Sequence, residues 1–386
     1  MKADFDTPVD RRGTGSYKWD TPESGDVLPM WVADMDFRTA PCIVDALRDR
    51  VGHGVFGYTK VGREYYDAVT GWFASRHGWR IDPDHIIYTS GVVPAISAIL
   101  QALTLPGDMV ITQTPAYNCF FSSIRNSGCQ LAENPLRYHD GRYTIDFDDL
   151  ERKAAEPRAR ILLLCNPHNP SGRVWTADEL RRIGDICLRH RLTVIADEIH
   201  CEFTSPGFTY TPFASLSPEL ARITAACISP SKAFNIAGLQ IANIVAADPG
   251  MRERIDRAIN INEVCDVNPF GPVATVAAYS PAGAQWLDEL RSYLHGNYLS
   301  VTDYFARHLP HYRIAPLEGT YLVWIDITPS GLDADTLARR LLHEQRLMLS
   351  PGSIYGDGRF LRLNIACPRS RVDDALRRIG AVLNGL

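Results

Sequence analysis

The feature that most constrains the fold is an alternation of short apolar segments with helical stretches between residues 65 and 247. In chain order the apolar segments read HIIYTS, DMVITQT, RILLLCN, LTVIADE, TAACIS and ANIVAA. Segments of this length are typical of strands, and their alternation with helices predicts an α/β architecture on a largely parallel sheet. Ligands of such folds bind outside the carboxyl ends of the strands, so residues that follow these segments are the first candidates for a site.

One of the helices can be placed from local signals alone. Thr176 is a suitable N-cap, and Glu179 three residues later completes a capping box. Leu180, Ile183 and Ile186 then recur at helical spacing. We therefore predict a helix that begins after Thr176 and buries these three side chains.

The pattern changes after about residue 270, where a long helical stretch leads to the strand candidates TYLVWIDI and FLRLNIA. We predict an amino-terminal arm with part of the small domain over residues 1–45, a large domain over 46–270 and a smaller α+β domain over 271–386. The arm is rich in Pro, Gly and Asp and has no clear period. It should cross between the domains or onto a partner subunit.

Charge and composition limit the classes of partner. A formal net charge of -5 and a pI near 6.1 give no basic surface for nucleic acid or anionic lipid, and no apolar run approaches the length of a membrane-spanning helix. The first residues, MKADFDTPVDRRGTGS, lack the apolar core of a signal peptide, so we expect a cytoplasmic protein. None of the nine cysteines pairs with another at metal-ligand spacing, and we expect no metal.

Two runs in the predicted large domain indicate a pyridoxal phosphate site. Lys232 lies in SPSKAFN, directly after a predicted strand, and Asp197 lies in ADEIH 35 positions earlier. The cofactor needs a lysine that forms a Schiff base with its aldehyde and a carboxylate that keeps its pyridine nitrogen protonated. Alone, Lys232 is more often interpreted as an ordinary surface lysine, and Asp197 is equally compatible with a helix cap or an internal salt bridge. Their combination favours the cofactor.

Further candidates surround this pair. Tyr117 offers a ring to stack on the pyridine, and His200 could hydrogen-bond the phenolic oxygen, although both residue types are also common in packed cores. The predicted phosphate-binding residues combine backbone amides at a helix start with hydroxyls beside the lysine: Gly91, Val92, Val93, Ser229 and Ser231. A proline at a helix start and serines in a turn also have purely local explanations.

A GxGxxG string at residues 52–57 resembles a dinucleotide fingerprint but follows a predicted helix where the fingerprint requires a strand. We interpret it as a loop that presents Tyr58. The sequence contains no HExxH, GxSxG or GxxxxGK[ST] motif, which removes the common metalloprotease, hydrolase and P-loop hypotheses.

Four runs together, NPHNPSG, ADEIH, SPSKAFNIAGLQ and RLNIA, resemble the class I/II aminotransferase superfamily of fold type I pyridoxal phosphate enzymes across nearly the whole chain. The forms MWVADMDF, FGYT and SPSK are most similar to the branch of MalY/PatB-type cystathionine β-lyases, which cleave carbon–sulfur bonds. The resemblance implies a homodimer with pyridoxal 5'-phosphate at the subunit interface.

The resemblance also implies roles for individual residues. It makes Lys232 the covalent anchor of the cofactor and the proton carrier, and it places Asp197 on the pyridine nitrogen. Asn169 and His200 would lie near the phenolic oxygen, and Tyr58 would reach in from the other subunit. The substrate carboxylate would bind Arg362, helped by the backbone near Ala33. Without the family, Arg362 would be interpreted as a surface salt-bridge residue.

Two positions depart from the wider aminotransferase pattern: Gln240 stands where an arginine commonly binds the phosphate, and His200 where a tyrosine is frequent. Both occur in the lyase branch. We therefore predict a β-lyase that eliminates sulfur from amino acids to give a thiol, pyruvate and ammonia. The alternatives are a class I/II aminotransferase and, from a different class, a protein that binds a transcriptional regulator.

Overall fold

The computed structural model describes residues 3–22, 24–261 and 266–386. The helices of these residues are α1 Pro41–His53, α2 Arg63–His77, α3 Val92–Leu103, α4 Asn118–Asn126, α5 Phe147–Ala154, α6 Ala177–Arg189, α7 Pro218–Ile223, α8 Pro249–Asn260, α9 Gly271–Ala278, α10 Pro281–His308, α11 Ala334–Gln345 and α12 Arg369–Leu383. The strands are β1 Leu28–Pro29, β2 Ile86–Thr89, β3 Met109–Thr114, β4 Gln130–Pro135, β5 Arg137–His139, β6 Arg142–Thr144, β7 Ala159–Cys165, β8 Thr193–Asp197, β9 Thr224–Ile228, β10 Ala242–Ala246, β11 Arg313–Ile314, β12 Leu322–Asp326, β13 Leu347–Met348, β14 Ser350–Pro351 and β15 Phe360–Asn364.

The predicted large sheet has seven strands in the order β2-β10-β9-β8-β7-β3-β4. Every pairing is parallel except those of β10, which is antiparallel to both of its neighbours. All six apolar segments are strands of this sheet, so the prediction of a mostly parallel sheet is confirmed. The edge strand β4 was not predicted, because QLAENP lacks a sustained apolar run.

Both faces of the sheet are covered by helices, which explains why its strands are apolar throughout. Along β7, Ile161 and Leu163 pack with α3 and α8 on one face, while Leu162 and Leu164 join the larger core on the other. Helix α6 lies over this second face. Its capping box at Thr176 and its buried stripe are those predicted.

A second sheet of four antiparallel strands, in the order β11-β12-β15-β14, lies in the carboxyl-terminal part of the chain. It contains both predicted strands, TYLVWIDI as β12 and FLRLNIA as β15. The arm joins this part of the molecule through the parallel pairing of β1 with β13. The domain limits at residues 45 and 270 stay a prediction.

The loop after α1 confirms that the GxGxxG string is not a nucleotide-binding turn. Gly52 belongs to the helix itself, and Gly54 ends it in the left-handed conformation, with φ of +76°. Eight cysteines of the described residues are free thiols, and Cys265 lies outside the described residues. No helix in the described ranges is long and apolar enough to cross a membrane.

Candidate active site

A cavity of about 200 Å³ opens at the carboxyl ends of β7, β8 and β9. Ten of the predicted site residues line it: Ala33, Gly91, Val92, Val93, Tyr117, Asn169, Asp197, His200, Ser231 and Lys232. Pro94, Cys165, Ile199 and Ala237 complete the lining. The sequence motifs therefore converge on one space, where a sheet of this kind is expected to bind its ligand.

Lys232 is partly buried in the loop after β9, and its Nζ donates a hydrogen bond of 2.5 Å to the carbonyl of Ala33. Burial lowers the pKa of this amine to about 8, although Asp34 and Asp197 attract its proton and oppose the change. Because the pKa lies close to neutrality, a useful fraction of the lysine is a free amine. That is the form that can react with an aldehyde or accept a proton.

Asp197 ends β8 and is 3% exposed. Its carboxylate accepts a hydrogen bond of 3.2 Å from the backbone N–H of Ile199. Burial raises its pKa to about 6, with the attraction of Lys232 opposing the rise. A buried carboxylate that faces a cavity and has so little compensation lacks a cationic partner, and a protonated pyridine nitrogen supplies one.

His200 is 3% exposed, and its Nδ1 is buried without a hydrogen-bond partner among the described residues. Burial, together with the nearby charges of Lys232 and Arg362, lowers its pKa to about 3. The ring is therefore neutral at physiological pH. An unpaired ring nitrogen at the wall of the cavity is consistent with a polar atom of the ligand as its partner.

Arg362 lies on β15 and is buried at 4% exposure, so it is not the surface salt-bridge residue that its sequence context alone would suggest. Its Nη1 donates to Asn169 Oδ1 at 3.0 Å, and its Nη2 to the carbonyl of Trp31 at 2.9 Å. The guanidinium lies over the ring of Tyr355, 4.4 Å from its centroid. Its Nε has no partner among the described residues. The side chain is thus fixed in place with an N–H available for an anion.

The amino terminus of α3 faces the same cavity. Gly91 is its N-cap, and residues 91–94 line the space, so backbone N–H groups and the positive end of the helix dipole point to it. Ser231 also lines the cavity. Ser229 does not: its hydroxyl donates to the carbonyl of Ile241 at 2.7 Å and accepts from the backbone N–H of Ser231 at 3.0 Å. Ser229 shapes the lysine loop from behind.

The two predicted tyrosines differ sharply. Tyr117 precedes α4 and lines the cavity, and burial raises its pKa. Tyr58 is 99% exposed and does not line the cavity of its own chain. The end of α1 and the loop before Tyr58 expose further apolar side chains: Val51, Val55 and Phe56. Gln240, which stands where aminotransferases commonly carry an arginine, is exposed and does not line the cavity.

Residues 31–37 of the arm, here termed the strap, cross the lysine loop, and sequence reasoning missed what holds them. Asn235 accepts from the N–H of Met35 at 3.0 Å and donates to the carbonyls of Met35 and Phe37 at 3.0 and 2.9 Å. Tyr321 donates at 3.0 Å to the same Ala33 carbonyl that accepts from Lys232. Asn235 belongs to the SPSKAFN run, but no sequence signal identified its distant partners.

A buried group of charges lies behind the strap and was also missed. Lys18 and Asp36 are each 1% exposed and pair at 3.2 Å. Asp36 further pairs with Arg11 at 2.9 Å and with Arg371 at 3.2 Å, and Asp34 pairs with Arg11 at 2.7 Å. A sequence pattern cannot reveal this group, since its members come from the arm and from α12.

Away from the cavity, His77, Cys201 and Glu202 bring three potential metal ligands within 4.8 Å of one another. Glu202 already accepts hydrogen bonds from Trp72 at 2.7 Å and His77 at 2.8 Å, and Arg76 lies 3.4 Å from it. These partners lower the pKa of the Glu202 carboxyl against the effect of its burial. The protein itself therefore neutralises this acid, and the cluster needs no cation.

The residues of the cavity fit pyridoxal phosphate in each of its parts. They supply an amine for the aldehyde, an uncompensated buried acid for the ring nitrogen, an unpaired imidazole nitrogen and a helix terminus for the phosphate. The model of the aminotransferase class I and II family matches residues 26–379. The chain belongs to this family.

Relatives and solved structures agree over the full length. Cystathionine beta-lyase PatB of Bacillus subtilis is 42% identical over 98% of this chain and 100% of the relative. Cystalysin of Treponema denticola, crystallised with pyridoxal 5'-phosphate, has a TM-score of 0.97 and 38% identity over 100% of both chains. The pyridoxal phosphate-bound C-S lyase of Staphylococcus hominis has a TM-score of 0.94 and 31% identity over 99% of this chain and 98% of its own. The predicted family, fold class and cofactor are confirmed.

Proposed function

We propose that the chain is a pyridoxal phosphate-dependent carbon–sulfur β-lyase, which converts an amino acid with sulfur on its β-carbon into a thiol, pyruvate and ammonia. The prediction of this reaction class is confirmed by full-length relatives that carry it in their names. The structural observation that carries the proposal is the placement of Lys232 in one cavity with Asp197 and beside the Arg362–Asn169 pair.

The bound cofactor supplies an electron sink for the charge left on the α-carbon when its proton departs. Asp197 would hold the ring nitrogen in its protonated form, Tyr117 would stack on the ring, and Asn169 and His200 would lie at the phenolic oxygen. The phosphate would bind the amides of residues 91–93 and the Ser231 hydroxyl. Ser229 would support this loop, since its own proton is already donated to Ile241.

The substrate would be fixed by Arg362 and the strap. Arg362 retains its unpartnered Nε and the second hydrogen of each terminal nitrogen, so it can bind the α-carboxylate while it keeps its bonds to Asn169 and Trp31. Lys232 would remove the α-proton. Its burial favours the neutral amine that this step requires, and the Ala33 carbonyl offers its Nζ an acceptor when the amine is not engaged.

We further propose that two copies of the chain associate and that each site takes Tyr58 from the partner. An apolar surface with a fully exposed tyrosine is typical of an interaction site, and Val51, Val55 and Phe56 extend it. A cytoplasmic location stays a prediction. A purely regulator-binding role is disfavoured, because it needs neither a low-pKa buried lysine nor a partnered buried arginine beside it.

An assay with cystathionine tests the reaction. We expect stoichiometric pyruvate and homocysteine, over many turnovers and with no added keto acid. Elimination and transamination share their early steps, and each difference of about 1.4 kcal/mol between their barriers shifts the partition tenfold. If pyruvate stays at trace levels while α-ketoglutarate drives amino transfer from an amino acid without a β-leaving group, the aminotransferase alternative replaces this proposal.

A further inference from the structure

A second, smaller cavity lies between α10, the segment Phe203–Ser205 and the end of β15, and it shares no lining residue with the cofactor cavity. Its volume is about 20 Å³, which is room for about one or two water molecules. No carboxylate is among the residues that line it, and its polar side chains carry hydroxyl groups or nitrogen atoms: Thr204, Ser205, Arg291, His295, Tyr298 and Thr320. The composition of the cavity therefore favours an anion over a cation.

Two nitrogen atoms in this lining lack partners. Arg291 Nε and His295 Nδ1 are buried without a hydrogen-bond partner among the described residues, although the other end of Arg291 is fixed by Thr204, whose carbonyl and Oγ1 accept from Nη2 at 3.2 and 3.0 Å. The two residues are four positions apart on α10 and hence on the same face of the helix. Buried donors normally have hydrogen-bond partners. Two nitrogen atoms without a partner, on residues that line the same cavity, therefore indicate a ligand.

A third donor is available nearby. The oxygen of Tyr298 accepts from the backbone N–H of Leu317 at 3.2 Å, which leaves its own hydroxyl proton free to be donated. The nearest acid to Arg291 is Asp288, at 3.7 Å from Nη1. Asp288 is 56% exposed and pairs more closely with Arg76, at 2.7 Å, so it does not cancel the positive charge at Nε.

We propose that this cavity binds a single monatomic anion, chloride being the abundant one, through Arg291 Nε, His295 Nδ1 and the Tyr298 hydroxyl. Its volume of about 20 Å³ favours a monatomic ion over phosphate or a carboxylate. The ion would join α10 to the segment that follows His200. Phe203 from that segment packs edge-on against Tyr321, with 4.9 Å between ring centroids, and Tyr321 donates to the Ala33 carbonyl under Lys232. Binding would thus reinforce the rear wall of the cofactor site.

Thermal unfolding of the holoenzyme tests the proposal. The protein is prepared without halide and titrated with sodium chloride or sodium bromide against sodium gluconate at equal ionic strength, because gluconate is too large for the cavity. A saturable rise of about 3 °C is expected at a hundredfold excess over the dissociation constant. Crystals soaked in bromide should show an anomalous scattering peak within hydrogen-bond distance of Arg291 Nε. Equal unfolding temperatures in halide and gluconate, with no such peak, mean that the cavity holds only water and overturn the proposal.

Variants locate the effect. Arg291→Gln should abolish the halide-dependent rise, whereas Arg307→Gln on the same helix, which removes an exposed pair with Asp303, should retain it fully. A rise that survives in Arg291→Gln means that halide acts elsewhere, and this contradicts the proposal. If Arg291→Gln does not fold, Tyr298→Phe decides the matter, since loss of one neutral donor should shift the halide midpoint up by about tenfold. An unchanged midpoint in Tyr298→Phe likewise overturns it.

Discussion

In the proposed dimer, the lysine loop and the Tyr58 loop would contribute to one site in two opposite ways. Lys232 is held within its own chain, by burial and by the Ala33 carbonyl, and its surroundings are complete enough to lower its pKa to about 8. Tyr58 is 99% exposed and is not among the residues that line the cofactor cavity of its own chain. The comparison teaches that a short motif can specify chemistry inside one chain, whereas the role proposed for the exposed Tyr58 would require a second copy.

The largest expected effect is that of replacing Lys232, which is held within its own chain. Lys232→Ala should lose the visible absorption of the bound cofactor and lower kcat by at least about 10²- to 10⁴-fold, the usual contribution of a positioned proton-transfer group. Absorption spectra and steady-state pyruvate assays measure both. Lys153→Ala is the control, since this lysine pairs with Asp149 on α5, far from the motif. A Lys232→Ala protein that keeps both signals would rule out the assigned lysine.

The second prediction concerns the exposed Tyr58. If each site takes Tyr58 from one chain and Lys232 from the other, subunit exchange between impaired Tyr58→Phe and Lys232→Ala proteins should rebuild one site per heterodimer, or about a quarter of the parental activity after random mixing. Tyr17→Phe is a suitable control in place of Tyr58→Phe, because Tyr17 is also exposed, at 72%. Absence of regained activity, with exchange demonstrated by mass labels, would argue against a shared site.

The third prediction uses the cofactor-free protein. Burial raises the pKa of Asp197 to about 6, so between roughly pH 4 and 6 the folded state binds a proton that the unfolded chain has released. Stability should therefore fall as pH rises through this window, by about 3 kcal/mol from this group. Asp197→Asn should remove that loss and leave the cofactor-free protein more stable than its parent above pH 6. It should also bind the cofactor more weakly.

Urea unfolding of both cofactor-free proteins from pH 4 to 7 provides the measurement. Burial raises the pKa of the buried acid Glu198 to about 7, and the charge of Asp197 adds to this rise. Glu198 titrates in both proteins, so the difference between the two curves reports Asp197 together with its effect on Glu198. A difference that does not grow between pH 4 and 6 would contradict the account of Asp197 as an uncompensated buried acid.

The smallest expected effect is at the strap. Asn235 has φ of +54°, a conformation that glycine adopts freely, so Asn235→Gly removes the hydrogen bonds to Met35 and Phe37 without backbone strain. It should lower the unfolding free energy of the holoenzyme by about 1–3 kcal/mol, the range for buried groups that lose a partner. Asn260→Ala, which removes one side-chain hydrogen bond within α8, serves as the control. Alanine is used at this position because glycine would also destabilise the helix. Equal urea midpoints for Asn235→Gly and the parent would show that the strap is held by other contacts.

The features that could be predicted from the sequence are those determined by residues only a few positions apart. Apolar segments near seven residues long identified six strands of the large sheet, and Thr176 with Glu179 identified a helix start, because each signal lies within a few positions. The motif residues Lys232, Asp197 and Asn169 could likewise be placed, since strand ends of a parallel sheet meet at one edge.

What the sequence could not reveal depends on long-range packing. The strand β4 lacks an apolar run and forms because β3 offers it an edge. The burial of Arg362 depends on Tyr355 and on the strap, and the ion pair of Lys18 with Asp36 depends on Arg371 from the last helix. These partners are far apart in the chain, so no local pattern carries the information.

The strap has a consequence for biosynthesis. Arg362 bonds the Trp31 carbonyl across 331 positions, and Asn364 bonds the carbonyls of Val32 and Asp34 from a similar distance. A ribosome delivers the strap first and these side chains near the end, after every strand of the large sheet has been made. Nascent chains that end between residues 232 and 360 therefore already carry Lys232 but lack β15, the last strand that holds the strap over it.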